Sequence, residues 1–260
     1  MRKGGKGDLV LVHGLWMTAQ SWDSFRKPFE AAGYTVHTPT WAVLQGLDKD
    51  QLNADPPAAL GPLSVGTIVD GLAAYIAALP APPLLVGHSF GGLFVQMLLD
   101  RGLGRAAAAL NPAPIGGVVP GPVTLSAALP AIARWNGWKR PYALTRRRFA
   151  ARYANAAPRE LQDRTYDTYV IPTPGKVFYQ AAFWAGTFVR PSRRTAPLLI
   201  TAGDADRLIT PYLSRAAYNI QKRSPARTDY RLFPCRSHLL CDEPGWQEVA
   251  DAVISWADSL

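Results

Sequence analysis

The chain has 260 residues, of which 48% are hydrophobic and 18% are charged, and its formal net charge at pH 7 is +9. This length suits one large α/β domain or two small ones, and the composition excludes a disordered chain. No apolar run approaches the ~20 residues of a membrane-spanning helix, so we expect no stable membrane insertion. No apolar signal segment precedes the first predicted strand, and we therefore expect a cytoplasmic protein.

The first half of the chain alternates between strand and helix patterns. The predicted elements are, in chain order, strand 9–12, helix 22–32, strand 35–38, helix 67–79, strand 84–86, helix 93–99 and strand 106–111. A long loop is expected between residue 38 and about residue 64. Strands separated by helices predict an α/β fold, with a mostly parallel sheet and helices on both of its faces.

Strand alternation stops in the second half and then resumes. Residues 113–190 contain several helix-like pieces broken by prolines, with many aromatic residues, which predicts a helical insert that packs against the sheet domain. The elements after it are strand 197–201, helix 212–221, strand 228–233 and helix 246–258. We therefore expect a core domain made of residues 1–112 and 191–260, interrupted by the helical insert (residues 113–190).

The most informative motif is G-H-S-F-G at residues 87–91, which has the G-x-S-x-G form of a nucleophile elbow. A predicted strand precedes it and a predicted helix follows it, which is the context that this motif requires. Its glycines let the helix and the strand pack closely, and the turn would expose the Ser89 hydroxyl. The alternative is a chance match in a chain with 22 glycines. The strand–turn–helix context favours Ser89 as a nucleophile.

A serine nucleophile needs a base, and four histidines are available. His238 follows the last predicted strand, in a loop that opens into the final helix. This position fits a triad in the chain order serine, acid, histidine. We expect His13 to brace the turn after the first strand, and His37 lies in an early strand. His238 is therefore the predicted base, and the alternative is an ordinary histidine of a surface loop.

The acid is expected after strand 197–201, where the loop contains Asp204 and Asp206. Asp206 lies deeper in the loop, before apolar residues that return to the core, and is the predicted triad acid. Asp204 is expected to cap or brace the turn. The other position for an acid, after strand 106–110, holds Asn111, which cannot supply the charge that stabilises an imidazolium.

Backbone N–H groups are expected to form an oxyanion hole. One donor would be Phe90, which follows the nucleophile, and the other would be Leu15, in the loop after the first strand. The side chains of Trp16 and His88 are predicted to line the substrate pocket. For Trp16, ordinary core packing is an equally good interpretation.

Cys235 and Cys241 flank His238 and are expected to be reduced, with a local disulfide as the alternative. Together with His238 they would supply only three metal ligands, so we expect no metal site. We also expect no cofactor.

Arginine is concentrated in and around the insert. From Arg134 to Arg194 there are eleven arginines and two lysines against three acidic residues. Such a region could attract an anionic substrate or an acidic partner. The favoured interpretation is a solvated helical face, and we expect no nucleic-acid partner because no nucleic-acid module with interleaved aromatic residues is present.

These motifs together are similar to those of the α/β-hydrolase fold family. The resemblance rests on the H-G-x-W loop at 13–16, the elbow, the G-D-x-D loop at 203–206 and the S-H pair at 237–238. It extends from residue 9 to residue 258 apart from the insert, and it implies that the insert is a helical cap over the active site. Because only eight residues precede the H-G strand, we expect a shortened sheet of about six strands.

A serine at position 89, rather than the aspartate of dehalogenases and epoxide hydrolases, favours acyl transfer to water. The resemblance and the apolar insert therefore indicate a carboxylesterase that cleaves small to medium hydrophobic esters through an acyl-enzyme, with the small-molecule ester as its partner. Alternatives with the same triad are a cofactor-free perhydrolase, a C–C hydrolase and a hydroxynitrile lyase. A ligand-binding member without catalysis is a further alternative.

Overall fold

The computed structural model describes residues 5–260. Residues 1–4, which the sequence assigned to the core domain, lie outside the described residues. In the part of the chain that the structure describes, six parallel strands form one sheet in the order β2-β1-β3-β4-β5-β6. The strands are β1 (Asp8–Val12), β2 (Thr35–His37), β3 (Leu84–His88), β4 (Ala106–Leu110), β5 (Leu198–Gly203) and β6 (Thr228–Phe233). The prediction of about six parallel strands is confirmed.

Within residues 5–260, ten α-helices connect and cover the strands. They are α1 (Arg26–Ala31), α2 (Lys49–Ala54), α3 (Val65–Ala77), α4 (Phe90–Asp100), α5 (Pro122–Ile132), α6 (Arg146–Arg148), α7 (Arg159–Tyr169), α8 (Gly175–Ala182), α9 (Pro211–Gln221) and α10 (Trp246–Asp258). A π-helical turn, Phe149–Tyr153, continues α6. Within residues 5–260, no helix combines the length and the apolar character needed to cross a membrane.

Alternate residues of the strands point to opposite faces of the sheet, and both faces are covered. Val10 and Leu85 belong to a buried apolar cluster that includes α3, α4 and α9. Leu9 and Leu84 belong to a second cluster that includes α1 and α10. The two-residue period of the side chains explains this division. Helices therefore lie on both faces, as the alternation of elements predicted.

The first helical region and the long loop differ from the prediction. The helix predicted at 22–32 is a 3-10 turn, Ala19–Trp22, followed by α1. Helix α2 lies inside the segment predicted as loop. Its N-terminus is stabilised by a capping box of Asp48 and Gln51. The Asp48 carboxylate accepts the Gln51 N–H at 2.8 Å, and the Gln51 side chain accepts the Asp48 N–H at 2.9 Å. This reciprocal pair satisfies N–H groups that a short helix otherwise leaves open.

The helices α5 to α8 of the insert are tied to loops at the carboxyl ends of the strands. Thr124 donates to the carbonyl of Leu208 at 2.7 Å, and Asn155 donates to the carbonyl of Ala205 at 2.8 Å. The carbonyl of Trp16 accepts an N–H from the insert at 3.0 Å. These bonds place the insert above the sheet edge at which the predicted site residues lie.

One arginine counted with the charge of the insert region is not on the surface. Arg194 is fully buried and donates to the carbonyl of Gln221 at 3.0 Å and to that of Ala196 at 2.6 Å. It joins the start of β5 to the end of α9. For Arg194, the expectation of a solvated face is therefore wrong, because a guanidinium whose N–H groups are bonded to carbonyls can be buried.

Candidate active site

Ser89 occupies the turn between β3 and α4 in a strained backbone conformation. Its φ is 57° and its ψ is −122°, a region that residues with a side chain rarely adopt. The turn is held by the neighbouring strand, because the Ser89 N–H donates to the carbonyl of Leu110 at 3.0 Å. The strain is thus maintained by the sheet, and it turns the serine out of the strand, as the elbow motif predicted.

Close backbone approaches explain the glycines of the elbow. A Cβ at Gly87 would lie 2.1 Å from the carbonyl oxygen of Gly91, and a Cβ at Gly91 would lie 2.0 Å from that of Val12. Both distances are far below van der Waals contact. The first turn of α4 can lie against β3 and β1 only because these side chains are missing.

The sheet order places the elbow beside the loop that follows β1. Strand β2 extends the sheet on one side of β1, while β3 to β6 extend it on the other, so the β1/β3 boundary is the topological switch point. Ligands of open α/β sheets bind at such a point, outside the carboxyl ends of the strands.

His238, in the loop after β6, links the other two residues of the predicted triad. Its Nε2 lies 2.9 Å from Ser89 Oγ, and its Nδ1 lies 2.7 Å from Asp206 Oδ2. The side chains of His238 and Asp206 are fully buried. Because a carboxylate accepts hydrogen bonds, Nδ1 carries the proton and Nε2 is left to accept the serine hydroxyl. The structure thus brings the three predicted residues into one hydrogen-bonded chain.

The Asp206 carboxylate is held by four hydrogen bonds. Oδ1 accepts the N–H groups of Leu208 at 2.7 Å and Ile209 at 2.8 Å. Oδ2 accepts from His238 and, at 2.8 Å, from Asn111 Nδ2. An ionised carboxylate, which is only an acceptor, fits this set of donors.

Asp204 has the bracing position that the sequence predicted. Its Oδ1 accepts the N–H of Cys235 at 2.6 Å, which fixes the start of the loop that bears His238. The two aspartates of the β5 loop therefore contact different parts of the histidine loop, and only Asp206 contacts the imidazole.

Asn111 contacts the predicted triad through Asp206. The sequence indicated only that an asparagine at this position cannot be the triad acid. Besides its bond to Asp206, its Oδ1 accepts the N–H of Gly203 at 3.0 Å. Its φ is 42°, a left-handed conformation that asparagine tolerates better than most residues. The sequence signal for this role was an asparagine directly after a buried strand. Its partner Asp206 lies 95 residues later in the chain, so the contact itself could not be read from the pattern.

A second buried carboxyl group supports the histidine loop. Glu243 accepts the Ser237 N–H at 2.7 Å and the Ser237 hydroxyl at 2.6 Å. Burial raises the pKa of Glu243, against the opposing effect of its hydrogen bonds to Ser237. The residue just before His238 is thus fixed through both its backbone and its side chain.

The two cysteines near His238 are free thiols, so the alternative of a local disulfide is not formed. Cys235 is exposed and Cys241 is buried. Burial raises the pKa of the Cys241 thiol well above its usual value, which disfavours the reactive thiolate. Among residues 5–260, no group of three or more His, Cys, Asp or Glu side chains is arranged to hold a metal ion.

The backbone beside Ser89 offers positions for the predicted oxyanion donors. Phe90 is the first residue of α4, where an N–H has no acceptor within the helix. A Cβ at Gly14 would lie 2.8 Å from Ser89 Cβ and 3.3 Å from the Phe90 nitrogen. The loop after β1 therefore packs directly on the elbow, and Leu15 is its next residue. Leu15 and Phe90 remain the predicted donors.

Ser89 borders a cavity that is partly open to solvent. Its lining is almost entirely apolar: Trp16, Phe90, Pro114, Pro120, Thr124, Leu125, Ala127, Ala128, Phe178, Ala181, Ala182, Leu208 and Ile209. Most of these residues belong to the insert. Trp16 lies where the sequence placed it, in the wall of this cavity.

His88 lies elsewhere. It lines a separate cavity, together with His13 and Tyr153, and not the cavity of Ser89. Its Nε2 donates to the carbonyl of His238 at 2.8 Å. Burial, and then the proximity of His238, lower the pKa of His88 well below its usual value, so it is neutral. Instead of lining the substrate pocket, His88 supports the backbone of His238.

Tyr153 contacts His238 from the insert, a contact that no sequence pattern indicated. Its ring stands perpendicular to the imidazole with ring centres 4.7 Å apart, and it stacks on Phe149 at 5.1 Å. Tyr153 ends the π-helical turn, an irregularity that is frequent at functional sites. The insert thus contacts the imidazole and also supplies most of the residues that line the cavity of Ser89.

A parallel sheet with a serine on the turn from a central strand into the next helix defines the α/β-hydrolase class. Residues 9–252 match the model of the alpha/beta hydrolase family, and the chain belongs to that family. No curated protein matches the sequence at a significant level.

Solved structures with the same fold include several enzymes. A monoacylglycerol lipase of Paleococcus ferrophilus is 21% identical, with a TM-score of 0.68 over 96% of this chain and 93% of that one. A thermophilic esterase of Thermogutta terrifontis is 16% identical, with a TM-score of 0.71 over 98% of this chain and 91% of that one. A methylesterase of Arabidopsis is 16% identical, with a TM-score of 0.67 over 97% and 99%. At these identities the likeness concerns the fold.

Proposed function

We propose that the protein is a serine carboxylesterase that hydrolyses small to medium hydrophobic esters through an acyl-enzyme. The observation that carries this proposal is the contact of 2.9 Å between Ser89 Oγ and His238 Nε2, at the edge of an apolar cavity. A serine hydroxyl is a weak nucleophile until a base within hydrogen-bond reach accepts its proton.

In the first half of the reaction, Ser89 Oγ attacks the ester carbonyl while His238 Nε2 takes the hydroxyl proton. Asp206 keeps Nδ1 protonated and stabilises the imidazolium that forms. The developing oxyanion accepts the N–H groups of Leu15 and Phe90, each worth about 3 kcal/mol in the transition state. His238 then gives its proton to the leaving alcohol, and the acyl group stays on Ser89.

In the second half, His238 takes a proton from water, and the resulting hydroxide equivalent attacks the acyl-enzyme. The carboxylic acid leaves as Ser89 regains its proton from His238. Every step uses side chains, backbone N–H groups and water.

The cavity supports the substrate class. Its apolar walls favour hydrocarbon groups by burying them from water, at about 25 cal/mol per Å² of apolar surface. The hydroxyl-bearing residues of its lining are Ser89 and Thr124. The enzymes named above, among them an esterase and a monoacylglycerol lipase, agree with ester cleavage at the level of fold.

The test is hydrolysis of p-nitrophenyl esters from acetate to palmitate, with folded Ser89→Ala protein as the control. We expect turnover that peaks at short or medium acyl chains and disappears in the variant. Folded wild-type protein that cleaves no ester would contradict the proposal and would favour the lyase, C–C hydrolase or ligand-binding alternatives.

A further inference from the structure

Two arginines of the insert line a second cavity next to that of Ser89. Arg148 ends α6, and Arg152 lies one turn later in the π-helical turn. The cavity is partly open to solvent and is lined by Ser126, Ala127, Leu144, Arg148, Arg152, Tyr153 and Leu208.

The two cavities adjoin. Ala127 and Leu208 line both of them. Tyr153, which also lines the arginine cavity, contacts the ring of His238. The two cavities thus share part of their wall, and a substrate with its ester at Ser89 would extend toward the arginines along Ala127 and Leu208.

Unlike some arginines of this region, Arg148 and Arg152 have no acidic partner among the described residues. Arg146 pairs with Asp163 at 3.1 Å, and Arg194 is buried among carbonyls. Among the ion pairs formed by residues 5–260, none includes Arg148 or Arg152. Within residues 5–260, no acidic side chain therefore competes with an anionic ligand for these two guanidinium groups.

Each of these arginines is anchored by one hydrogen bond. Arg148 Nη1 donates to the Tyr142 hydroxyl and Arg152 Nη1 donates to the carbonyl of Val123, both at 2.9 Å. A guanidinium has five N–H donors, so most remain free for a ligand. Like charges four residues apart on one helical face repel each other, and a bound anion would offset that repulsion.

We propose that Arg148 and Arg152 bind a carboxylate at the far end of the substrate, so that the preferred esters are monoanions. This inference rests on the proposed esterase function, whose ester group would lie at Ser89. Guanidinium groups suit the role because they bind carboxylates through paired, charge-assisted hydrogen bonds. The apolar cavity would hold the hydrocarbon part of the same substrate.

The test compares mono-p-nitrophenyl esters of dicarboxylic acids, from glutarate to suberate, with esters of equal length that end in a neutral primary amide. We expect kcat/KM to be about tenfold higher for the carboxylate at its best length, mainly through KM. Arg148→Gln and Arg152→Gln should each remove most of that preference, which is measured as the ratio of kcat/KM for the carboxylate substrate to kcat/KM for the amide substrate. The preference should also fall as salt is raised to ~0.5 M.

Arg147→Gln is the matched control, because Arg147 is exposed, adjacent in sequence and absent from the cavity lining. Equal kcat/KM for both substrates, or an equal loss in Arg147→Gln, would overturn the carboxylate site while leaving the esterase proposal intact. If folded protein cleaves neither substrate, the esterase proposal fails. In that case, calorimetric titration of wild type and Arg152→Gln with adipate tests the carboxylate site directly. Binding that is weakened by the substitution would support the site. Equal binding by the two proteins, or no binding, would overturn it.

Discussion

Asn111 Nδ2 and His238 Nδ1 meet the same carboxylate oxygen, Oδ2 of Asp206, at 2.8 and 2.7 Å. The amide therefore fixes the oxygen that orients the imidazole. Because Oδ1 is held by two backbone N–H groups, the carboxylate cannot rotate without breaking several bonds. Asn111 is thus a positioning residue for the proposed triad.

Asn111→Ala should lower kcat/KM by roughly 10- to 100-fold, because a hydrogen bond to a charged group is worth about 1.5–3 kcal/mol. It should also lower the free energy of unfolding by about 1–3 kcal/mol, since the N–H of Gly203 loses its acceptor. Ester kinetics and urea unfolding measure the two effects. Asn53→Ala, which removes side-chain bonds to the carbonyls of Lys49 and Val170, is the control. Unchanged kinetics in Asn111→Ala would refute the positioning role.

Substitutions of the two aspartates in the loop after β5 should have very different effects on kcat. Asp206→Asn should lower kcat by about 10⁴-fold, because an amide at this position favours the wrong tautomer of His238. Asp204→Asn should cost far less, since Asp204 contacts only the Cys235 N–H. Steady-state kinetics on one ester, with circular dichroism as a check of folding, compares them. A greater loss in Asp204→Asn would show that the acid is misassigned.

The principal site residues could be predicted from the sequence because their signals are local. The elbow lies between a strand and a helix, and the loops of Asp206 and His238 follow the last two strands. Asn111 and Tyr153 could not be predicted in the same way, because their roles depend on contacts with loops far away in the chain. His88 was misplaced, since its neighbour Ser89 turns out of the strand and leaves the two side chains in different cavities.

Gly14→Ala should lower kcat/KM by about 100-fold or more. The new Cβ would lie 2.8 Å from Ser89 Cβ and 2.9 Å from the carbonyl oxygen of His88, so the elbow or the loop must move. A displacement of about 1 Å near reacting groups costs on the order of 10²-fold. Kinetics and thermal unfolding measure the result.

Gly71→Ala provides the matched control for that change. Gly71 lies within α3, and an added Cβ would meet nothing within 4 Å outside its own helix. This variant should keep full activity and gain about 0.5–1 kcal/mol of stability. Full activity in Gly14→Ala would mean that the loop after β1 need not fit tightly against Ser89.

Acid should destabilise the fold through His13. Burial lowers the pKa of His13 from 6.5 to about 4, against a weaker opposing effect of its bond to Gly14. Below pH 6.5 the unfolded chain gains a proton at His13 that the folded chain does not accept until about pH 4. The free energy of unfolding therefore falls as pH falls through that window, by about 2 kcal/mol at pH 5 for this group.

Urea unfolding at pH 7 and pH 5, for wild type and His13→Asn, measures this contribution. Between pH 7 and pH 5, the free energy of unfolding of the variant should fall by about 2 kcal/mol less than that of the wild type. The variant's remaining loss should include that from His88, whose pKa is also lowered by burial. Equal losses in both proteins would exclude His13 as a source of acid sensitivity.

Two further features of the fold, helix α2 and the burial of Arg194, could not be predicted from sequence patterns. The short helix α2 depends on a capping box of Asp48 and Gln51, a pair that is easily overlooked in a polar segment. Arg194 carries the same charge as its exposed neighbours in sequence, and only its carbonyl partners distinguish it. Charge counts along a chain do not identify which cations reach the surface.

The most direct test of the proposed mechanism is covalent labelling with a fluorophosphonate, followed by mass spectrometry of the intact and digested protein. We predict one adduct per chain, located on Ser89, formed slowly in His238→Ala and absent in Ser89→Ala. Ser89→Ala should also lower kcat by as much as ~10⁶-fold. Ester hydrolysis that persists in Ser89→Ala, or an active enzyme that is not labelled at Ser89, would contradict Ser89 as the nucleophile.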